Sequence, residues 1–276
     1  AYTDICHIFY DAIKKYNSGA KVIGGTMYLA TDNDIKAVES EYKSGIDKYT
    51  DMIGWHPYCT DTVYEDGLPG FKDRLSDVNE IKNKYSDREL GFASTEAGTT
   101  HTNAQGAYPH DRTFVRPCRN TYRQGNLNIR AYIEQISLGS EIWTTYLLAD
   151  PNRATISGES TYGITECAMK RSPTPDGDSL IPKDAFIQET ANNYWLADAD
   201  YESMQNINDN VYVAKFKSNK FGGKNIAVLW SKSDAEKVTL NLGKNNVIYS
   251  DGYGNEQELS NNNGRYTLYA CDRPVY

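Results

Sequence analysis

The sequence has no Cys-x-x-Cys pair. Its five cysteines, Cys6, Cys59, Cys118, Cys167 and Cys271, stand far apart. Their spacing and odd number exclude a zinc ribbon and a dense disulfide framework, leave room for one or two bridges, and leave the compartment undecided. No apolar run approaches the roughly 18 residues of a membrane-spanning helix, so no membrane partner is expected. Basic excess is missing too: the formal charge is −8, with the acids scattered along the chain. Binding to a phosphate backbone needs a basic stripe, so no nucleic-acid partner is expected. There is no glycine-rich phosphate loop, no Gly-x-Ser-x-Gly elbow and no dinucleotide fingerprint. Histidines number only 4, and His101 and His110 have no third ligand beside them, so no metal site is expected. "TPDGDS" (174–179) resembles a fragment of a calcium loop but lacks the later ligands, which makes it a solvated turn. No leader peptide is visible, and the chain opens at Ala1 without a methionine, so a mature, trimmed or partial product is expected.

What the chain has is length, 276 residues, and tyrosine, 22 of them beside 4 Trp and 7 Phe. The length suits one large domain, or a medium one with a small one. With 39% hydrophobic and 24% charged residues, the composition is that of a soluble globular protein. Tyrosine-rich aromatics suit a sugar-binding cleft, although half-exposed strand positions account for most of them.

Apolar residues at Ile5, Ile8, Phe9, Ala12, Ile13 and Tyr16 keep helical spacing, as do Ile35, Val38, Tyr42, Ile46 and Tyr49. Further helices are predicted over 71–85, 126–138 and 184–196. Between them lie short apolar runs that read as strands: "KVIGG" (21–25), "MIGWHPY" (52–58), "LGFASTE" (90–96) and "EIWTTYLLAD" (141–150). Strict alternation of strand and helix predicts a parallel sheet with right-handed crossovers. The connections after the third and fourth strands are long, roughly 97–123 and 151–183, which puts the functional loops at the strands' C-terminal ends. From about Met204 the pattern becomes short alternating strands with turns such as "FGGKN", "DGYGN" and "NNNG", an all-β module.

The third strand ends on a carboxylate, Glu96, in "STEAG". "HPY" at one strand end, "STEAG" at the next and a strand carrying Trp143 form an ordered set. Together with "STYGITE", "IPKDAFIQETANNYW" and the closing "NIAVLWSKS…VTLNL…NVIYSDGYGNEQEL", this set resembles the clan of retaining glycoside hydrolases on (β/α)8 barrels, β-xylosidase-like members above all. The resemblance implies an α/β plus all-β fold: strands five to eight of a (β/α)8 TIM barrel over 1–200, then a small antiparallel β-sandwich over 201–276. It implies that Glu96 is the catalytic nucleophile, with His56 and Tyr58 supplying hydrogen bonds to it. Trp143 and Tyr146 would line the sugar site, with Tyr108, His110 and Tyr162 in the long loops lining subsites. It also implies a β-linked oligo- or polysaccharide substrate, such as a plant cell-wall glycan, no cofactor, and a secreted enzyme.

One part of the pattern is missing. The clan's acid/base Glu, usually preceded by Asn, closes strand four, and this chain starts at the helix after that strand. Asn79-Glu80 falls within a predicted helix and Asn255-Glu256 in a β-module turn, so neither replaces it. Four parallel strands alone would leave two open edges and an uncovered apolar face. The expected partner is therefore an N-terminal half barrel, from the same gene product or another chain. A monomeric, compact and well-folded isolated chain would contradict that expectation. Two other readings compete. One is a non-catalytic carbohydrate-binding or scaffold-associated module derived from such an enzyme. The other is a flavodoxin-like domain, which would want a phosphate- or flavin-binding first loop that "GGTMYLATDND" does not offer. Each residue also has a structural alternative: a salt-bridged surface Glu96, a packed His56, a wall Tyr58, a core Trp143.

Overall fold

A computed structural model of the chain describes residues 2–27, 31–58, 71–100, 121–150, 162–167, 180–232, 235–243, 246–260 and 263–276. The chain divides into two compact units: residues 1–98 with 134–146, and residues 99–133 with 147–276.

The first unit is built on a parallel sheet. Its strands are β1 (Ile23–Met27), β2 (Met52–Trp55), β3 (Gly91–Ala97) and β4 (Ser140–Thr145), in the order β1-β2-β3-β4. Helices α1 (Tyr2–Tyr16), α2 (Asp32–Lys43) and α3 (Phe71–Tyr85) alternate with them, and α4 (Thr121–Ser137) leads into β4. Strand order equal to chain order means that every crossover advances in the same direction. A flavodoxin-like sheet reverses direction at a switch point, so that reading does not fit this topology.

The core of this unit joins Val38 and Tyr42 of α2, Leu75, Val78 and Ile81 of α3, the strand residues Ile53, Trp55 and Phe92, and Ile46, which lies between α2 and β2. All four residues of β2 are buried, as expected of a parallel strand covered on both faces. α2 starts on a capping box: Thr31 accepts from the Asp34 amide, and the Asp34 carboxylate accepts from the Thr31 amide at 2.8 Å. At the amino ends of the strands, Asp51 accepts from the Val22 amide at 2.8 Å and from Tyr10 Oη at 3.2 Å, and pairs with Lys14 at 2.8 Å. Burial opposes its charge, but Lys14, the Val22 amide and Tyr10 outweigh burial and hold the carboxyl below its usual range.

The second unit holds the first part of α4, helix α5 (Asp184–Leu196) and antiparallel strands. β5 (Thr165–Cys167) pairs with β6 (Leu180–Pro182). β7 (Ala199–Asn206), β8 (Val211–Ser218) and β9 (Lys224–Ser231) form a three-stranded sheet. β10 (Glu236–Asn241) pairs with β13 (Arg265–Ala270), and β11 (Val247–Ser250) with β12 (Glu256–Leu259). Val211, Val213, Leu229, Val238, Ala270 and Val275 form its apolar core. α4 and α5 touch closely at Gly125, where a Cβ would lie 2.8 Å from the Ala185 Cα, so only glycine fits there. Among the described residues, no helix is long and apolar enough to cross a membrane.

Candidate active site

The carboxyl ends of β2, β3 and β4 bring together four of the expected residues. Glu96 is the penultimate residue of β3, and His56 directly follows β2. His56 Nδ1 lies 2.9 Å from Glu96 Oε2, with 27% and 28% of the two side chains exposed. Both groups are therefore held in place yet open to a ligand. The His56 ring meets Tyr58 edge-on at 6.3 Å, and Tyr58 meets Tyr146 edge-on at 6.1 Å. The Tyr146 amide donates to the Ala97 carbonyl at 2.7 Å, fixing the end of β4 to the end of β3. A carboxylate, an imidazole and two phenol rings thus form one continuous cluster.

Local backbone puts Glu96 there. Ser94 pairs with Trp143 and Ala97 with Thr145, so β3 spends three steps where β4 spends two. The extra residue is a bulge at Thr95–Glu96, a device that re-aims side chains at sheet ends. Gly98 follows with φ +153°, a conformation open to glycine, and ends the strand.

Trp143 lies on β4 opposite Ser94, partly buried, and its indole N–H donates to Thr145 Oγ1 at 3.1 Å. It belongs to the strand beside the cluster. Tyr162 falls in the second unit, where its carbonyl accepts from Gln124 Nε2 at 3.1 Å. Tyr108, His101 and His110, the 174–179 turn, Cys59 and Cys118 lie outside the described residues. Cys6 and Cys271 are free thiols. Among the described residues, no group of His, Cys, Asp or Glu is placed to hold a metal ion.

Sequence reasoning missed a polar network on α4. The Thr99 amide donates to Asn128 Oδ1 at 2.9 Å, and Gln124 Nε2 donates to the Thr99 carbonyl at 3.0 Å. These bonds fix the segment that leaves β3, three residues after Glu96. The available signal was Gln124 and Asn128 at helical spacing on a face that should be apolar. A cavity of about 440 Å³ lies in the second unit, lined by Phe186, Ile187, Tyr194, Tyr253 and Glu256 among others, and shares no residue with the Glu96 cluster.

No protein-family profile matches the sequence, and no curated protein does. Solved structures do match. A family 51 α-L-arabinofuranosidase from Bifidobacterium longum superposes with a TM-score of 0.62 at 9% identity, over 99% of this chain and 62% of that one. A GH39 β-xylosidase from Caulobacter crescentus gives 0.46 at 15% identity, over 90% of this chain and 47% of that one. A family 30 xylanase from Clostridium acetobutylicum gives 0.46 at 12%, over 98% and 59%. The chain thus spans less than two thirds of the length of each. The neighbours are glycoside hydrolases of the TIM-barrel kind, and the first match shows a shared fold.

Proposed function

We propose that the chain is the C-terminal half of a retaining glycoside hydrolase, strands five to eight of a (β/α)8 barrel followed by a β-sandwich, with Glu96 as the nucleophile. The observation that carries this reading is the half-exposed Glu96–His56 pair, 2.9 Å apart at the carboxyl ends of adjacent parallel strands. That end of a β/α sheet is where such folds build their sites.

In this reading the Glu96 carboxylate attacks the anomeric carbon. The bond to the leaving oxygen breaks as a second carboxyl group, about 5–5.5 Å from the first, gives that oxygen its proton. The same second group, now a carboxylate, takes a proton from water. The resulting attack on the anomeric carbon breaks the ester and frees Glu96. His56 Nδ1 at Glu96 Oε2 fixes the rotamer of the nucleophile and leaves the other carboxylate oxygen for the sugar. Tyr58, Tyr146 and Trp143 supply aromatic surface for the C–H face of the ring. The acid/base Glu comes from an N-terminal half barrel. No cofactor takes part.

The substrate is a β-linked oligo- or polysaccharide, and the enzyme is secreted; both follow from the clan resemblance. The first structural neighbour carries the name of an α-L-arabinofuranosidase, so a substrate screen must include both anomers. The other reading, a sugar-binding module without chemistry, rests on the same cluster and the lack of a second carboxylate at the carboxyl ends of β1 to β4 among the described residues.

The test is Glu96→Ala in the complete enzyme, assayed on aryl glycosides. Turnover should fall by several orders of magnitude, and azide should restore it with a product of inverted configuration. Unchanged turnover removes Glu96 from the mechanism. Sugar binding without turnover, in the wild-type complete protein, favours the binding module.

A further inference from the structure

Beyond Ser94, β2 no longer pairs with β3, and Gly98 has no side chain to brace the turn that follows Glu96. The chain is caught again at Thr99, by both of its backbone groups. Asn128 Oδ1 accepts from the Thr99 N–H at 2.9 Å, and Gln124 Nε2 donates to the Thr99 carbonyl at 3.0 Å. Thr99, Gln124 and Asn128 are each no more than 1% exposed. Water therefore offers no substitute for either bond, and losing one leaves a buried backbone group unsatisfied.

Neither amide is free to turn over. An amide oxygen only accepts and an amide nitrogen only donates. Asn128 Nδ2 donates to Glu189 Oε1 of α5 at 2.8 Å, and an ionised carboxylate only accepts, so Asn128 has to present its oxygen to Thr99. Gln124 Nε2 faces the Tyr162 and Gly163 carbonyls at 3.1 and 3.3 Å beside that of Thr99, three acceptors that require the nitrogen. Apolar side chains would fill the same space with less desolvation. Two buried amides aimed at one residue specify a position instead.

We propose that Asn128, locked by Glu189, is a positioning residue for Glu96: by holding the Thr99 N–H it fixes the exit of β3 and, through three residues of chain, where the carboxylate stands. This rests on Glu96 as the nucleophile and adds to it the helix residues that aim it. Attack needs the carboxylate oxygen in line with the anomeric carbon, and a misplacement of about 1 Å costs about a hundredfold. The effect falls on the rate of chemistry at each site and leaves sugar binding alone.

The test exploits the lock. Asn128→Asp keeps an oxygen for Thr99 but sets a second carboxylate against Glu189, and repulsion drives the two apart at about pH 8, where they do not share a proton. Adding Glu189→Gln returns a donor to the pair. The complete enzyme and these variants are treated with the 2-deoxy-2-fluoro glycosyl fluoride of the sugar whose aryl glycoside the wild type hydrolyses. The Glu96 carboxylate bonds to C1 as the C1–F bond breaks, fluoride leaves, and the glycosyl ester stays on the protein, where peptide mass spectrometry locates it. Asn128→Asp should reach the wild-type stoichiometry of label at Glu96, but about tenfold or more slowly at saturating probe, with half-saturation within about threefold. Glu189→Gln alone, and the double variant, should label within about threefold of the wild-type rate. If Asn128→Asp does not fold, Glu189→Ala, which removes the lock from a partly exposed position, should slow labelling by about threefold or more.

A wild-type rate in Asn128→Asp overturns the inference and leaves Glu96 as the nucleophile. So does a loss of labelled sites at an unchanged rate per site, which is what a merely structural residue would cause, and so does a slow rate that Glu189→Gln fails to restore. Label on another residue, or none in the wild type, removes the reading of Glu96 itself and the inference with it.

Discussion

Asp51→Ala should loosen the sheet that carries the candidate site, and the structure sets the scale. The carboxylate receives the Val22 amide at 2.8 Å, Tyr10 Oη at 3.2 Å and the Lys14 ammonium at 2.8 Å, with 13% of its own side chain exposed. Hydrogen bonds to a charged partner are worth about 1.5–3 kcal/mol each, but three bonds to one carboxylate are not additive. Lys14 also keeps a second acceptor, the Ala20 carbonyl at 2.6 Å. The main loss is therefore the Val22 amide and the tie between α1 and β2, about 3 kcal/mol in all. At 1.4 kcal/mol per factor of ten, that is roughly a hundredfold. Hydrogen exchange followed by mass spectrometry, in peptides covering 21–27 and 51–55, should show that acceleration, while peptides covering 211–231 in the second unit stay unchanged. The effect also has a sign in pH. The Asp51 carboxyl is held below its usual range, so its contribution is full above about pH 4 and is lost as pH falls through the lower folded value. Wild type and variant should therefore converge in acid. A difference under threefold at pH 7, or one that grows as the pH falls below 4, would refute the argument.

Two further outcomes follow from buried charge. Burial pushes Glu41 up to about 7, so the folded state favours its protonated form and the associated stability is lost as pH rises through 7. Wild-type Tm should fall between pH 5 and 8, and Glu41→Gln should flatten that fall. Lys183 is 1% exposed at its side chain and pairs with Asp150 at 2.7 Å. Lys183→Met removes the countercharge from a mostly buried carboxylate and should lower stability by about 3 kcal/mol, read as a drop in guanidinium midpoint that Lys183→Arg only partly restores.

The sequence was legible where its signal was local. The helices predicted at 71–85 and 184–196 have those bounds in the structure, because each combines helical apolar spacing with a clear stop. β2 and β3 were legible as short apolar runs because most of their residues are buried, as in a parallel strand covered on both faces. β5, β6, β7 and β12 were not foreseen. β12 is "EQEL" and β7 is "ADYESMQN", both largely exposed. They are strands because a neighbour supplies their hydrogen bonds, and a polar, exposed strand leaves no hydrophobic alternation in its own sequence. The same holds for the start of α4, which reaches back to Thr121. There Thr121 Oγ1 donates to Asp184 at 2.5 Å, a partner 63 residues away.

For the candidate site, the residue types at the strand ends were legible and their meeting was not. By strict alternation along β3, Phe92, Ser94 and Glu96 would share a face, and Phe92 belongs to the core packed under the helices. A regular strand would therefore turn Glu96 toward that apolar layer, where an unpaired carboxylate costs several kcal/mol. The bulge at Thr95–Glu96 breaks the alternation, and Glu96 meets His56 instead. A bulge is a mismatch between two strands, here three steps on β3 against two on β4, so it depends on residues some fifty positions apart and leaves no trace in "STEAG" alone. Its position follows from the ends that are fixed. Below it, β3 is held in register with β2 from Met52–Gly91 to Trp55–Ser94. Above it, Gly98 turns the chain and the Tyr146 amide grips the Ala97 carbonyl. Between the Ser94–Trp143 and Ala97–Thr145 pairs β3 carries one residue more than β4, and the residue put out of step is the carboxylate that the proposed chemistry needs.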